Sequence, residues 1–162
     1  MVNNMEKIIS WIDRLSDYAA YLSGWLLIVI VLLILANVSL MAFFNKSIMI
    51  TDEYSAYMFA AFVMFGLAYT LKVKGHIRIN VLTSRLPNSI RRFFEIFAIV
   101  IAMVLTAFMF YYAILMVKQA YIYQMRSDTV AQTLLWIPQL CLPTGFFSLL
   151  LQLIAEFFRV IK

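Results

Sequence analysis

The chain is poor in the residues from which redox centres, disulfides and flexible linkers are built. Its 162 residues include one cysteine, one histidine, four glycines and three prolines. A single histidine cannot supply the paired axial ligands of a membrane cytochrome, and Cys141 alone can form neither an internal disulfide nor a CxxC pair. We therefore expect no catalytic residues, no metal and no cofactor in this chain.

Charged residues are also scarce, at 13% of the chain, against about 25% in an ordinary soluble domain. Hydrophobic residues make up 65%, against about 45–50% in soluble proteins. A particle of this size cannot bury so much apolar surface, so the solvent around it is predicted to be largely lipid. The net charge of +5 does not indicate a nucleic-acid partner, because the basic residues are spread between apolar runs and form no basic face of a folded domain.

Four long stretches of the chain contain no charged residue. Each has about 18 residues or more, which is enough to cross a hydrocarbon core of about 30 Å as a helix. The stretches are continuously apolar, whereas the strands of a membrane barrel alternate. The sequence therefore predicts an all-α integral membrane four-helix bundle that forms a single domain over residues 1–162. The predicted spans are about 19–44, 54–71, 95–117 and 136–158.

Residues of about 5–18, before the first span, have an amphipathic pattern. Apolar side chains such as Trp11 and Tyr18 project onto one helical face, and Asp13 and Asp17 onto the other. The pattern predicts a helix that lies in the membrane interface. However, the segment has a net charge of about −1, whereas helices that bind lipid surfaces are usually rich in Lys and Arg. The alternative is a polar extension of the first span.

The distribution of Lys and Arg predicts the orientation. Ten of the thirteen lie in the N-terminal segment, the middle loop and the C-terminal tail, and three lie in the other two loops. The positive-inside rule then places both termini and the middle loop in the cytoplasm. The middle loop and its borders are also expected to meet anionic lipid headgroups. The basic residues concerned are Lys72, Lys74, Arg78, Arg85, Arg91 and Arg92.

The spans lack the chemistry of an autonomous transporter. Such proteins bind an ion and a substrate near the midplane, through buried charged residues or unwound helices. Here Glu53 and Glu95 lie at the starts of their helices and Glu156 at the end of the last one, so the middle of every span is uncharged. Asn37, the main polar residue within a span, is expected to make a helix contact near a membrane face. Two alternatives stay open: a small membrane enzyme acting at the lipid interface, and an autonomous homo-oligomeric transporter.

Several short motifs resemble those of the small membrane subunit of TRAP transporters, the tripartite ATP-independent periplasmic carriers. Their order and spacing carry the resemblance, which covers about residues 11–158. The motifs are Asp52-Glu53, Phe65-Gly66, Lys74-Gly75-His76-Ile77-Arg78-Ile79-Asn80, Trp136-Ile137-Pro138 and Pro143-Thr144-Gly145. Asn80 departs from the family, which often has an acidic residue there.

The resemblance implies a fixed, non-catalytic scaffold. In this family the small subunit pairs with a large membrane subunit that carries the sodium and substrate sites, and a soluble periplasmic protein delivers an organic acid. The resemblance implies an organic anion as the substrate, with a carboxylate sugar such as sialic acid as one option. The implied site for the soluble partner is the two periplasmic loops, with Lys46, Asp52, Lys118, Arg126 and Asp128. The implied large-subunit contacts or motif positions are Glu53, Ala56, Ala60, Gly66, His76, Pro138, Pro143 and Gly145. Ala56 and Ala60 also have the four-residue spacing of a close-packing helix face.

Overall fold

A computed structural model describes residues 2–73 and 88–161 of the chain. This part of the chain forms five helices and contains no named strand. The helices are α1 (Val2–Phe44), α2 (Thr51–Lys72), α3 (Asn88–Ile122), α4 (Trp136–Gln139) and α5 (Cys141–Ile161). Four helical stretches, of which α4 and α5 together form the last, are long and apolar enough to cross a membrane. The predicted all-α membrane bundle is confirmed.

The helices extend beyond the charge-free runs that predicted them. α2 begins at Thr51, and α3 covers Asn88–Ile122 where the sequence predicts only 95–117. A charge-free run marks the part of a helix that hydrocarbon can bury. A helix can continue past that part because headgroups and water solvate its charged side chains.

Residues 5–18 do not form a helix of their own. α1 runs without interruption for 43 residues, so this segment is the N-terminal extension of the first span. The side of the extension that faces the bundle includes buried Ile12 and Ser16, whereas Trp11 and Tyr18 are exposed. Part of the polar pattern therefore faces protein, and much of the apolar pattern faces outward.

The helices pack as a bundle with two inner and two outer members. α2 contacts α1 on one side and α5 on the other, and α5 also contacts α3. Within the described residues, α1 and α3 lie on opposite flanks and share no extensive packing. Small side chains fill the tightest positions, since Ala68, Ala120 and Ala155 are at most 1% exposed.

The bundle has two distinct ends. At the terminal end, α1 and α3 begin and α2 and α5 finish; at the loop end, the α1–α2 and α3–α4 loops lie together. α1 ends at Phe44, and the next residue, Asn45, has a left-handed φ of 51°. The Lys46 N–H then donates back to the Leu40 carbonyl at 3.4 Å. Asparagine tolerates this helix-ending conformation better than most residues do. The chain can therefore reverse its direction within the short connection to α2.

Candidate functional site

The first loop at the loop end is fixed by Asn37. Its Oδ1 accepts a hydrogen bond from the Ile48 backbone N–H at 2.7 Å and another from the Ser47 hydroxyl at 3.3 Å. Asn37 lies in the last part of α1, so its amide bonds the connecting loop and not a neighbouring span. The polar residue predicted to make a helix contact thus holds the turn between α1 and α2.

The second loop, residues 123–135, folds back on itself through backbone hydrogen bonds. The Ser127 N–H donates to the Thr133 carbonyl at 2.9 Å, and the Leu135 N–H donates to the Met125 carbonyl at 3.0 Å. Two glutamines, at 124 and 132, adopt left-handed φ values of 48° and 47°. These turns give the loop a short hairpin-like shape with one isolated bridge between Arg126 and Leu134.

Glu53 fastens this second loop to the start of α2. Its side chain is nearly buried, at 8% exposure, and accepts hydrogen bonds from the Tyr57 hydroxyl at 2.9 Å and from the Thr129 hydroxyl. Thr133 adds a longer contact of 3.5 Å to the Tyr54 hydroxyl. Burying the Glu53 carboxylate without such donors would cost free energy. The hydrogen bonds therefore stabilise the buried carboxylate, and they also hold the second loop against α2. We call Glu53, Tyr57 and Thr129 the loop latch.

The residues predicted to dock a soluble partner all lie at the loop end with exposed side chains. None of them takes part in an ion pair within residues 2–73 and 88–161. Their charges are therefore presented to the surroundings, and their docking role stays a prediction. They are Lys46, Asp52, Lys118, Arg126 and Asp128.

The predicted motif residues divide between the interior and the surface of the bundle. Gly145 lies at the crossing of α5 and α2, where an added Cβ would stand 2.7 Å from the Met64 Cβ. Gly66 lies beside α1, with the Ser23 hydroxyl 3.5 Å from the position of a Cβ. Pro143 is buried in the first turn of α5, Pro138 and Ala60 are half-buried, and Ala56 is exposed. His76 lies outside the described residues.

A polar cluster at the terminal end was not predicted from the sequence. The Arg159 guanidinium of α5 lies 2.5 Å from the Asp13 carboxylate of α1, and 3.4 Å from Glu156. Gln152 is fully buried; it accepts a hydrogen bond from Ser16 at 2.8 Å and donates one to Asp13 at 3.2 Å. We call these five residues the terminal network, and it joins the first and last helices.

Lys72, the last residue of α2, forms contacts at the same depth in the bundle as the terminal network. Its ammonium group lies 2.5 Å from the Asp17 carboxylate and 3.2 Å from the Asp13 carbonyl oxygen. Its charge is thus used within the bundle, although we predicted headgroup binding. Of the other residues in that prediction, Arg91 pairs with Glu95 at 3.3 Å and Arg92 donates to the Ile161 carbonyl. Lys74, Arg78 and Arg85 lie outside the described residues.

One sequence signal could have revealed the terminal network. Gln152, Glu156 and Arg159 are spaced i, i+4 and i+7, so they share one face of α5 in an otherwise apolar run. A polar stripe in a membrane helix indicates a protein contact rather than a lipid contact. The identity of the partner helix, more than 130 residues away, has no local signal.

No metal-binding group is evident in the part of the chain that the structure describes. Residues 2–73 and 88–161 contain no group of three or more His, Cys, Asp or Glu side chains that could hold an ion. Cys141 is buried as a free thiol in the first turn of α5. The polar groups of both ends serve contacts between helices and loops.

Comparison with known proteins identifies relatives of the chain. Residues 30–162 match the family model described as "Tripartite ATP-independent periplasmic transporters, DctQ component". A curated relative, "Putative TRAP transporter small permease protein" of Haemophilus influenzae (strain ATCC 51907 / DSM 11121 / KW20 / Rd), is 23% identical over 145 residues. The aligned region covers 90% of this chain and 86% of the relative. The resemblance drawn from the sequence motifs is therefore confirmed at the level of the family.

Proposed function

The chain belongs to the DctQ component family of tripartite ATP-independent periplasmic transporters, and from this premise we propose that it is the fixed scaffold subunit of such a secondary transporter. A component of this family is part of a transporter and not an enzyme. The proposed partners are the large membrane subunit, a periplasmic substrate-binding protein and membrane lipids.

The location of the polar groups carries the proposal. The ion pairs of the described residues lie at the terminal end, and the loop latch lies at the other end. The middle of every span has no charged residue in the sequence. A solute or cation crossing the bilayer needs polar ligands near the midplane. The sodium and substrate sites are therefore assigned to the large subunit.

The loop end is the proposed docking surface for the soluble partner. Lys46, Lys118 and Arg126 are exposed there together with Asp52 and Asp128. Charges of both signs at an interface mainly set the orientation and the rate of encounter. The loop latch supports this role because a loop already fixed in place loses less conformational entropy on binding.

One face of α2 is the proposed contact for the large subunit. Ala56 is exposed, so its small side chain is available for close approach of another helix. Gly145 and Gly66 are excluded from that contact, because they lie against Met64 and Ser23 within the chain. Their proposed role is to let the scaffold's own helices approach one another.

The membrane orientation and the cargo follow from the same premise. The positive-inside rule supports a position in the inner membrane with both termini in the cytoplasm and the loop end in the periplasm. The proposed cargo is an organic acid, with a carboxylate sugar such as sialic acid as one option, coupled to sodium in the large subunit. Specificity resides in the partner subunits, so the cargo is a property of the complete transporter.

Reconstitution into liposomes tests the scaffold role. The chain is prepared alone, with its large subunit, and with both the large subunit and the binding protein, and solute accumulation is measured under a sodium gradient. We expect the chain alone to accumulate no solute, and the complete set to do so. Accumulation by the chain alone would overturn the scaffold assignment and favour an autonomous transporter.

A further inference from the structure

The outward side of the α1 extension carries two cations that form no ion pair within the described residues. Lys7 and Arg14 are exposed and seven residues apart, so they share one helical face. Trp11 and Tyr18, which are 61% and 72% exposed, lie on the same side. Across the described residues, neither Lys7 nor Arg14 has an ion-pair partner.

The aspartates of the same segment are used inside the bundle. Asp13 is paired with Arg159 at 2.5 Å, and Asp17 with Lys72 at 2.5 Å. The remaining carboxylate, Glu6, is exposed and lies about 100° around the helix from Lys7 and about 80° from Arg14. The segment as a whole therefore has a negative net charge, whereas its outward face carries two positive charges. The face that meets the surrounding medium is cationic and aromatic.

The contact of Lys72 places this face at the level of the lipid headgroups. α2 has 22 residues and is about 33 Å long, little more than a hydrocarbon core of about 30 Å. Its last residue therefore lies at the membrane boundary. Lys72 bonds Asp17 at 2.5 Å and the Asp13 carbonyl at 3.2 Å. Arg14 lies between these two aspartates in the sequence, so it has nearly the same depth.

From these observations we propose that the outward face of the α1 extension binds the phosphate groups of anionic phospholipids. Arg14 presents a planar set of donors that suits phosphate oxygens. Lys7, about 10 Å further out along the helix, adds an attraction to the anionic surface that acts over about one Debye length. Side chains on a helix lean toward its N-terminus, so both cations reach away from the hydrocarbon. Trp11 and Tyr18 flank Arg14, and tryptophan and tyrosine are enriched in the headgroup region. The proposed site uses none of the basic residues predicted in the middle loop, and it goes beyond the scaffold role.

Lipid titration of the full chain tests the proposal. The protein in detergent micelles is titrated with phosphatidylglycerol or phosphatidylcholine, and bound lipid is counted by native mass spectrometry. The double variant Lys7→Gln/Arg14→Gln is expected to bind phosphatidylglycerol about fivefold more weakly for each charge removed, with phosphatidylcholine unchanged. Arg14→Lys should retain most of the binding. The matched control is Lys46→Gln, which removes an exposed cation at the loop end and should change nothing.

Two results would overturn the proposal. One is equal phosphatidylglycerol binding by the native chain and the double variant. The other is loss of the co-purifying large subunit when the double variant is expressed together with it, which would show that protein covers this face. Should the double variant misfold, Arg14→Gln alone keeps the test decisive, because it should still weaken phosphatidylglycerol binding by about fivefold. The titration uses this chain alone, so its failure leaves the scaffold role intact.

Discussion

Asp52 and Glu53 are adjacent in the sequence, yet their carboxylates meet opposite environments. The Asp52 side chain is exposed, whereas that of Glu53 is 8% exposed and accepts hydrogen bonds from Tyr57 and Thr129. One turn of helix thus presents one acid to a potential partner and uses the next to hold a loop. Because the two residues are so close, each is a control for the other.

Replacing Glu53 should loosen the second loop. In Glu53→Gln, an amide replaces the carboxylate that accepts from two hydroxyls, so we expect the free energy of unfolding to fall and the second loop to be held less tightly. Hydrogen–deuterium exchange at the bonded Ser127 and Leu135 amides should be faster. Asp52→Asn should leave both rates unchanged. Equal exchange in the two variants would contradict the loop latch.

Gly145 should tolerate no side chain. A Cβ there would lie 2.7 Å from the Met64 Cβ and 2.9 Å from the Met64 carbonyl oxygen, so α2 and α5 would have to separate. We expect Gly145→Ala to cost about 1–3 kcal/mol, measured as a lower melting temperature in detergent. Gly24→Ala is the matched control, since nothing lies within 4 Å of a Cβ at that position. A similar melting temperature for both variants would refute the close crossing.

Arg159 should matter more than a surface arginine. Arg159→Gln removes the cation that pairs with the partly buried Asp13 carboxylate at 2.5 Å, and we expect a loss of about 1–3 kcal/mol. Arg91→Gln removes an exposed pair of the i,i+4 type and should cost about 0.5 kcal/mol or less. Thermal unfolding measures both. Adding Asp13→Asn to Arg159→Gln should recover part of the loss, and strict additivity would show that the two residues are not coupled.

Charge reversal at the loop end should weaken docking without affecting assembly. In Lys46→Glu/Arg126→Glu, two exposed cations become anions, so encounter with the binding protein should slow by about tenfold or more at low salt. Uptake at limiting binding protein measures this effect, and co-purification of the large subunit should be unchanged. Loss of co-purification instead would place these residues in the membrane contact.

The sequence was sufficient for the spans because lipid imposes a simple rule. Residues that face hydrocarbon must be uncharged, so charge-free runs locate the crossing parts of the helices. Such runs say little about where the helices finish, and α3 continues to Ile122 past the predicted residue 117. Beyond the hydrocarbon both helix and loop are solvated, and composition does not discriminate between them.

The terminal network shows where local patterns fail. In a soluble helix the apolar face packs inward, but here Trp11 and Tyr18 face out and Ser16 is buried. The reason is that Arg159 and Gln152, from the far end of the chain, supply polar partners for Asp13 and Ser16. Pairing between residues far apart in the sequence thus turns the polar face of the α1 extension toward the bundle and its aromatic face outward. Only the spacing of polar residues along α5 indicates that such a partner face exists.

The pairing of Asp13 with Arg159 has a consequence for biogenesis. Asp13 and Arg159 are 146 residues apart in the chain, so their contact cannot form until α2, α3 and most of α5 have been synthesised. Until Arg159 is made, the Asp13 carboxylate of α1 lacks the guanidinium that it pairs with in the folded chain. A nascent chain arrested before residue 159 should therefore lack the ion pair that joins α1 to α5.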